Sequence, residues 1–190
     1  MSPTSAAESR AQLLKLIDEL AVVRGRVTLS SGKEADYYLD LRRVTLDHRS
    51  APLIGDVVLD LLDREGYLDR IDAVGGLTMG ADPVGSAVVD RSVVRGTPLD
   101  TFVVRKEAKK HGMGRRVEGP DVAGKRVVAV EDTSTTGGSV LTAVEALREA
   151  GAEVVAVAVV MDRGTGARER VEAEGLPYLT ALTTADLGLD

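Results

Sequence analysis

The residues best able to do chemistry stand together at Glu131-Asp132-Thr133-Ser134-Thr135-Thr136-Gly137-Gly138-Ser139, directly after the apolar run Val127 to Val130. An apolar strand that ends in two carboxylates, passes through a Thr/Gly-rich loop and opens a helix offers two kinds of contact at one place. Backbone N–H groups of a glycine-rich loop at a helix N-terminus, with Thr and Ser hydroxyls beside them, suit a phosphate monoester, because the helix dipole and the unpaired donors both favour an anion. Glu131 and Asp132 can accept hydrogen bonds from vicinal sugar hydroxyls. They also put negative charge beside a carbon that turns cationic when an anomeric bond breaks early. The combination suggests a ribose 5-phosphate. No Gly-Lys-Ser/Thr follows at the P-loop spacing and there is no G-x-G-x-x-G, so neither common nucleotide fingerprint applies. The plainer alternative is a strand end, a polar turn and a helix cap with solvated acids.

A second segment, Arg105-Lys106-Glu107-Ala108-Lys109-Lys110-His111-Gly112-Met113-Gly114-Arg115-Arg116, holds six Lys/Arg against one Glu in a chain whose net charge is −6. Residues 106–123 show no helical or alternating apolar pattern, and a connection of that length inside an α/β domain has the character of a lid. A basic lid closing over pyrophosphate would neutralise the leaving group and exclude water, with His111 adding a hydrogen bond or a proton. A solvated charge run without a ligand is the alternative.

The elements that must position these residues read as α/β. Leu13, Leu14, Ile17, Leu20 and Ala21 recur at helical spacing, and the run is expected to end at Arg24-Gly25. Val27 to Ser30 and Tyr37 to Leu41 are expected to be short strands around a Ser-Gly-Lys turn. A helix is expected through Leu53 to Leu62, with Pro52 near its start and Gly66 as its stop. Apolar runs then alternate with helical patterns: Ala73 to Leu77 and Pro83 to Val93; Phe102 to Val104; Val127 to Val130 and Ser139 to Ala150; Val154 to Met161 and Ala167 to Glu174. Strands that are apolar throughout imply a parallel sheet covered on both faces. Ligands of such sheets bind beyond the carboxyl ends of the strands. This points to Thr78 to Asp82, Lys106 to Ala123, Thr133 to Gly138 and Arg163 to Gly166. With no repeat or linker, residues 1–190 read as one domain.

Composition narrows the function. The chain has no Cys and two His, His48 and His111, so thiolate chemistry and Cys- or His-built metal sites are excluded and any metal should be oxygen-bound. Four Tyr, one Phe and an acidic balance argue against a nucleic-acid surface. The longest apolar stretch, Val154 to Met161, is too short to span a bilayer, and Met1 to Ser9 lacks the pattern of a secretory signal, so a cytoplasmic protein without a membrane partner is expected.

Glu131 to Ser139 resembles the phosphoribosyl-pyrophosphate (PRPP) motif of the type I phosphoribosyltransferases. Arg105 to Gly112 resembles the catalytic loop of the orotate phosphoribosyltransferases, and Ser31-Gly32-Lys33 with Tyr37-Tyr38-Leu39-Asp40 is similar to their N-terminal substrate-covering segment. The resemblance covers roughly residues 13 to 165. It implies a type I phosphoribosyltransferase-like parallel sheet flanked by helices, with a small N-terminal hood over about residues 1–45. It also implies transfer of the 5-phosphoribosyl group from PRPP to orotate, giving orotidine 5′-monophosphate and pyrophosphate in de novo pyrimidine (UMP) synthesis.

By the same resemblance, Glu131 and Asp132 would hold the ribose hydroxyls and act with Lys109 and His111 in catalysis. Thr133, Ser134, Thr135, Thr136, Gly137, Gly138 and Ser139 complete the PRPP site, with Thr135 to Ser139 on the 5-phosphate. Arg105, Lys106, Lys109 and His111 would bind pyrophosphate, the loop reaching into the other subunit of a homodimer. Arg163 would pair with the orotate carboxylate, which a guanidinium fork suits, and Thr135 would also face orotate. Mg2+ would bind mainly through pyrophosphate and ribose oxygens, with no metal site of the chain's own.

Three positions depart from the family pattern. Glu131 stands for the usual Asp. Ser30 stands where some members carry Lys near orotate, and Thr78-Met79 where some carry Tyr-Lys beside pyrophosphate. The alternatives left open are a type I phosphoribosyltransferase for another acceptor, such as a purine, and a non-catalytic PRPP-sensing regulator.

Overall fold

Val74, Val128, Val130, Ala156 and Ala158 alternate along three neighbouring strands with Ala73, Val127, Ala129, Val157 and Val159, and the two sets are buried in different cores. Burial on both faces accounts for the absence of polar alternation in these runs. The computed structural model describes residues 5–28, 34–107 and 115–189. Its main sheet is built from β3 (Ala73–Leu77), β4 (Asp100–Val104), β5 (Val117–Glu118), β6 (Arg126–Ser134), β7 (Glu153–Asp162) and β8 (Tyr178–Thr183), numbered after an N-terminal pair. The order is β5-β4-β3-β6-β7-β8, parallel except for β5.

One core lies under α1 (Ala6–Leu20), α3 (Ala51–Arg64) and α4 (Ala81–Arg95), through Leu13, Ile17, Ile54, Leu62, Val84 and Val88. The other lies under α5 (Gly138–Glu149) and α6 (Ala167–Glu172), through Val140, Val144, Leu147 and Val171. Each such side chain, moved fully out of water, contributes roughly 1.5–3 kcal/mol.

α1 opens on a capping box: the Glu8 N–H donates to the Ser5 hydroxyl at 3.3 Å, and the Ser5 N–H donates to the Glu8 carboxylate at 2.8 Å. The helix stops at Leu20, earlier than Arg24-Gly25. Val22 and Val23 are β-branched and begin β1 (Val22–Thr28), which pairs antiparallel with β2 (Glu34–Leu39). Arg24 and Gly25 therefore lie within a strand, at a break in register between Arg24 and Val27 where Gly25 adopts φ +120°. Chain direction then turns through the short helix α2 (Arg42–Thr45).

The later elements agree with the sequence to within a few residues, with four differences. β6 runs on through Glu131 to Ser134, because Thr133 and Ser134 pair with Met161 and Asp162 of β7. β5 forms within the stretch expected to be patternless, and Val122 nearby is buried. β8 was not anticipated, and it closes the sheet beside β7. α6 ends at Glu172 rather than Glu174.

From β3 the chain moves outward to β4, then returns to the other side of β3 as β6. This reversal leaves a crevice between the carboxyl ends of β3 and β6, where an open α/β sheet binds ligands.

Candidate active site

The β3 and β6 ends are drawn together by small residues. A Cβ on Gly76 would overlap the Val130 carbonyl. Beyond it, a Cβ on Gly80 would lie 2.6 Å from Asp132 Oδ1 and 3.0 Å from Glu131 Oε1, so the loop after β3 passes directly over the acid pair. The two acids form the floor of a cavity of about 470 Å³. Its rim includes Tyr38, Asp40 and Arg42 from the N-terminal segment, Thr78 after β3, Lys106 after β4, and Ser139 at the start of α5.

Both acids are buried, Glu131 6% and Asp132 9% exposed, which is unusual for carboxylates without a bidentate partner. Burial pushes the Glu131 carboxyl up to about 8; the Asp132 charge alongside adds to the shift and Lys106 opposes it. Asp132 is also raised by burial, with the Thr133 N–H, donating at 2.7 Å, and Arg42 pulling it back. Burial and the neighbouring charge thus both favour the protonated form of Glu131. Arg42 reaches the site through Asp40, its Nε 3.3 Å from Asp40 Oδ1.

The loop between β6 and α5 is three residues long, Thr135 to Gly137, shorter than the sequence implied because β6 claims Thr133 and Ser134. Gly137 caps α5 in the left-handed conformation, φ +73°, and no side chain caps the helix. The first N–H groups of α5 thus lack a side-chain partner at the edge of the crevice, an arrangement that suits an anion.

Of the residues singled out in the sequence, Glu131, Asp132, Thr133, Ser139 and Lys106 line one cavity. Ser134 is buried beneath the loop, while Thr135 and Thr136 are exposed on it. Arg105 sits apart, its guanidinium 3.6 Å from Glu118 beside β5. Arg163 follows β7 with its guanidinium carbon 5.6 Å from the centre of the Tyr37 ring, and its buried Nε has no partner. Lys109 and His111 lie outside the described residues, as do Ser30 and Ser31-Gly32-Lys33. At the Thr78-Met79 departure, the Thr78 hydroxyl donates to Asp82 Oδ2 at 2.7 Å and the Thr78 N–H to the Val104 carbonyl at 2.8 Å, so this turn is tied to the first turn of α4 and to the end of β4.

Sequence reasoning missed Arg42, and it gave Asp40 and Tyr38 no individual part. A signal was present: Tyr38, Asp40 and Arg42 are polar residues set among the buried Leu39, Leu41 and Val44, where the end of β2 passes into α2.

A helix-flanked parallel sheet with an acid pair and an uncapped glycine loop at its switch point defines a phosphoribosyltransferase, and residues 49–174 match the phosphoribosyl transferase domain family. The chain is 62% identical over 183 residues to the orotate phosphoribosyltransferase of Streptomyces coelicolor, covering 95% of this chain and 98% of that relative. It is 60% identical over 185 residues to the one from Corynebacterium glutamicum, covering 97% and 96%. Its fold matches the crystal structure of Mycobacterium tuberculosis orotate phosphoribosyltransferase in complex with PRPP with a TM-score of 0.81 and 51% identity, covering 95% of this chain and 99% of that one. The chain belongs to the orotate phosphoribosyltransferase family.

Proposed function

We propose that the chain transfers the 5-phosphoribosyl group of PRPP to N1 of orotate, releasing pyrophosphate, as a step of de novo pyrimidine synthesis. The observation that carries the reading is the buried Glu131-Asp132 pair lying beside an uncapped, glycine-headed helix in one cavity. In the reaction the anomeric C–O bond to pyrophosphate breaks, the bond from C1 to N1 of orotate forms, and the N1 proton passes to an oxygen of the departing pyrophosphate or to water. With that acceptor at hand the chain needs no strong base of its own and works by positioning and charge stabilisation.

Glu131 and Asp132 accept from the ribose hydroxyls and hold negative charge near the electron-poor anomeric carbon. The N–H groups and hydroxyls of Thr135 to Ser139 hold the 5-phosphate, with Thr133 and Ser134 shaping the floor. Lys106, together with Arg105, Lys109 and His111, takes the pyrophosphate. Arg163 grips the orotate carboxylate, and its stacking on Tyr37 limits the directions its fork can point. Thr135 faces the base.

Among the described residues no three acidic or histidine side chains converge into a metal cage. The donors present, the Glu131-Asp132 carboxylates at the cavity floor, fit a Mg2+ ion that would be carried mainly by the oxygens of the diphosphate and the ribose. When bound, that ion supplies neutralisation of leaving-group charge.

The proposal extends to a cytoplasmic homodimer, one domain per chain, in which residues 1–45 cover the substrates and the basic loop acts in the other subunit's site. None of the described helices is long and apolar enough to cross a membrane. Mixing inactive Lys109→Ala and Asp132→Asn chains tests the arrangement. Heterodimers should regain part of the activity, and two inactive pools that stay inactive after verified subunit exchange would refute loop sharing.

A further inference from the structure

The segment after β7 contacts the loop between β6 and α5 from behind. The Thr165 hydroxyl donates to the Thr135 carbonyl at 2.6 Å, and the Arg170 guanidinium of α6 donates to the Thr136 carbonyl at 3.3 Å. The Arg163 N–H donates to the Ser134 carbonyl at 3.0 Å at the end of the β6–β7 ladder, so three consecutive carbonyls are held by residues 163–170. In a planar trans peptide the C=O and the following N–H point in opposite directions. Fixing the Thr135 and Thr136 carbonyls therefore fixes the N–H groups of Thr136 and Gly137 facing away from α6. Gly137 then enters the left-handed region at φ +73° and the chain passes into α5, whose first turn no side chain caps.

We infer that Thr165 and Arg170 are positioning residues for the 5-phosphate: each holds one carbonyl of the loop so that the loop's N–H groups stay aimed at the anion. This rests on the reading of Thr135 to Ser139 as the phosphate cradle. Neither residue lines the cavity or needs to touch substrate. Both bonds are exposed, so water can replace each as a hydrogen bond but cannot reproduce its direction. Removing one loosens the cradle more than it weakens the fold.

The test uses Thr165→Val, Arg170→Gln and the double variant in the full-length chain. Four quantities are measured: KM for PRPP, KM for orotate, Tm, and the affinity for inorganic phosphate followed by the Gly137 amide resonance. Each single variant should raise KM for PRPP and weaken phosphate binding about three- to tenfold, the scale of one lost hydrogen bond. KM for orotate and Tm should stay near wild type. Thr165→Ser should restore wild-type behaviour, and Arg170→Lys should restore part of it. Phosphate affinity unchanged in the double variant would overturn the inference. So would a loss accompanied by an equal rise in KM for orotate or a large drop in Tm, because that is the mark of a purely structural contact. If the wild-type chain binds PRPP and the variants behave like it, only the inference fails. If the wild-type chain binds neither PRPP nor phosphate, the functional reading fails and takes the inference with it.

Discussion

Replacing Gly80 by Ala isolates the acid pair from the rest of the fold. Gly80 has φ −65° and ψ −43°, ordinary right-handed backbone, so an added methyl brings no backbone strain. Its only cost is steric. The new Cβ would stand 2.6 Å from Asp132 Oδ1, where ordinary contact begins at 3.4 Å, so the carboxylate must retreat by about 0.8 Å. Glu131 Oε1, at 3.0 Å, must also give way slightly. A displacement on the order of 1 Å in a group that orients the substrate costs about 10²-fold in rate. Gly80→Ala should therefore lower kcat/KM for PRPP about a hundredfold, measured from the loss of orotate absorbance, while the thermal unfolding midpoint moves by no more than about 3 °C. A variant that folds normally and keeps kcat/KM within about threefold of wild type would refute the claim that these carboxylates must sit where they do.

Other perturbations probe separate parts of the site. Gly137→Ala forces a Cβ into the left-handed region at φ +73°, although the nearest contact, the Ala167 carbonyl at 3.4 Å, is acceptable; urea unfolding should show a loss of about 1–2 kcal/mol. Arg163→Met removes a charge-assisted pairing and should raise KM for orotate roughly 10- to 100-fold with KM for PRPP unchanged, read from kinetics with both substrates varied. The pH dependence of stability has a defined sign. Between the ordinary Glu value of 4.5 and about 8, native Glu131 keeps a proton that the unfolded chain releases, so unfolding free energy falls as pH rises through that window. Glu131→Gln should flatten this decline in urea titrations at pH 5, 7 and 9.

The sheet was legible where burial on both faces left apolar runs with clear ends. β3 falls on Ala73–Leu77 as expected, and α3 follows its pattern from Pro52 to the Gly66 stop. Legibility failed where pairing overrode composition. Thr133 and Ser134 look like loop, yet β7 supplies them with partners, and β8 escaped notice because its place depends on β7 being beside it. The N-terminal boundary was misplaced because Arg24-Gly25 imitates a helix end while Val22 and Val23 already favour a strand. In the site, the acids and the glycine loop are contiguous in sequence and were readable as one device. Arg42 and the Tyr37–Arg163 stack join residues far apart in the chain, brought together only when the N-terminal strands settle near the carboxyl edge of the sheet.

The most direct test supplies the purified chain with PRPP, Mg2+ and one acceptor at a time. Orotate absorbance should fall with one pyrophosphate released per orotate consumed, and uracil, hypoxanthine and adenine should leave PRPP intact. Consumption of a purine in place of orotate, or a folded chain that leaves PRPP and orotate untouched, would contradict the account.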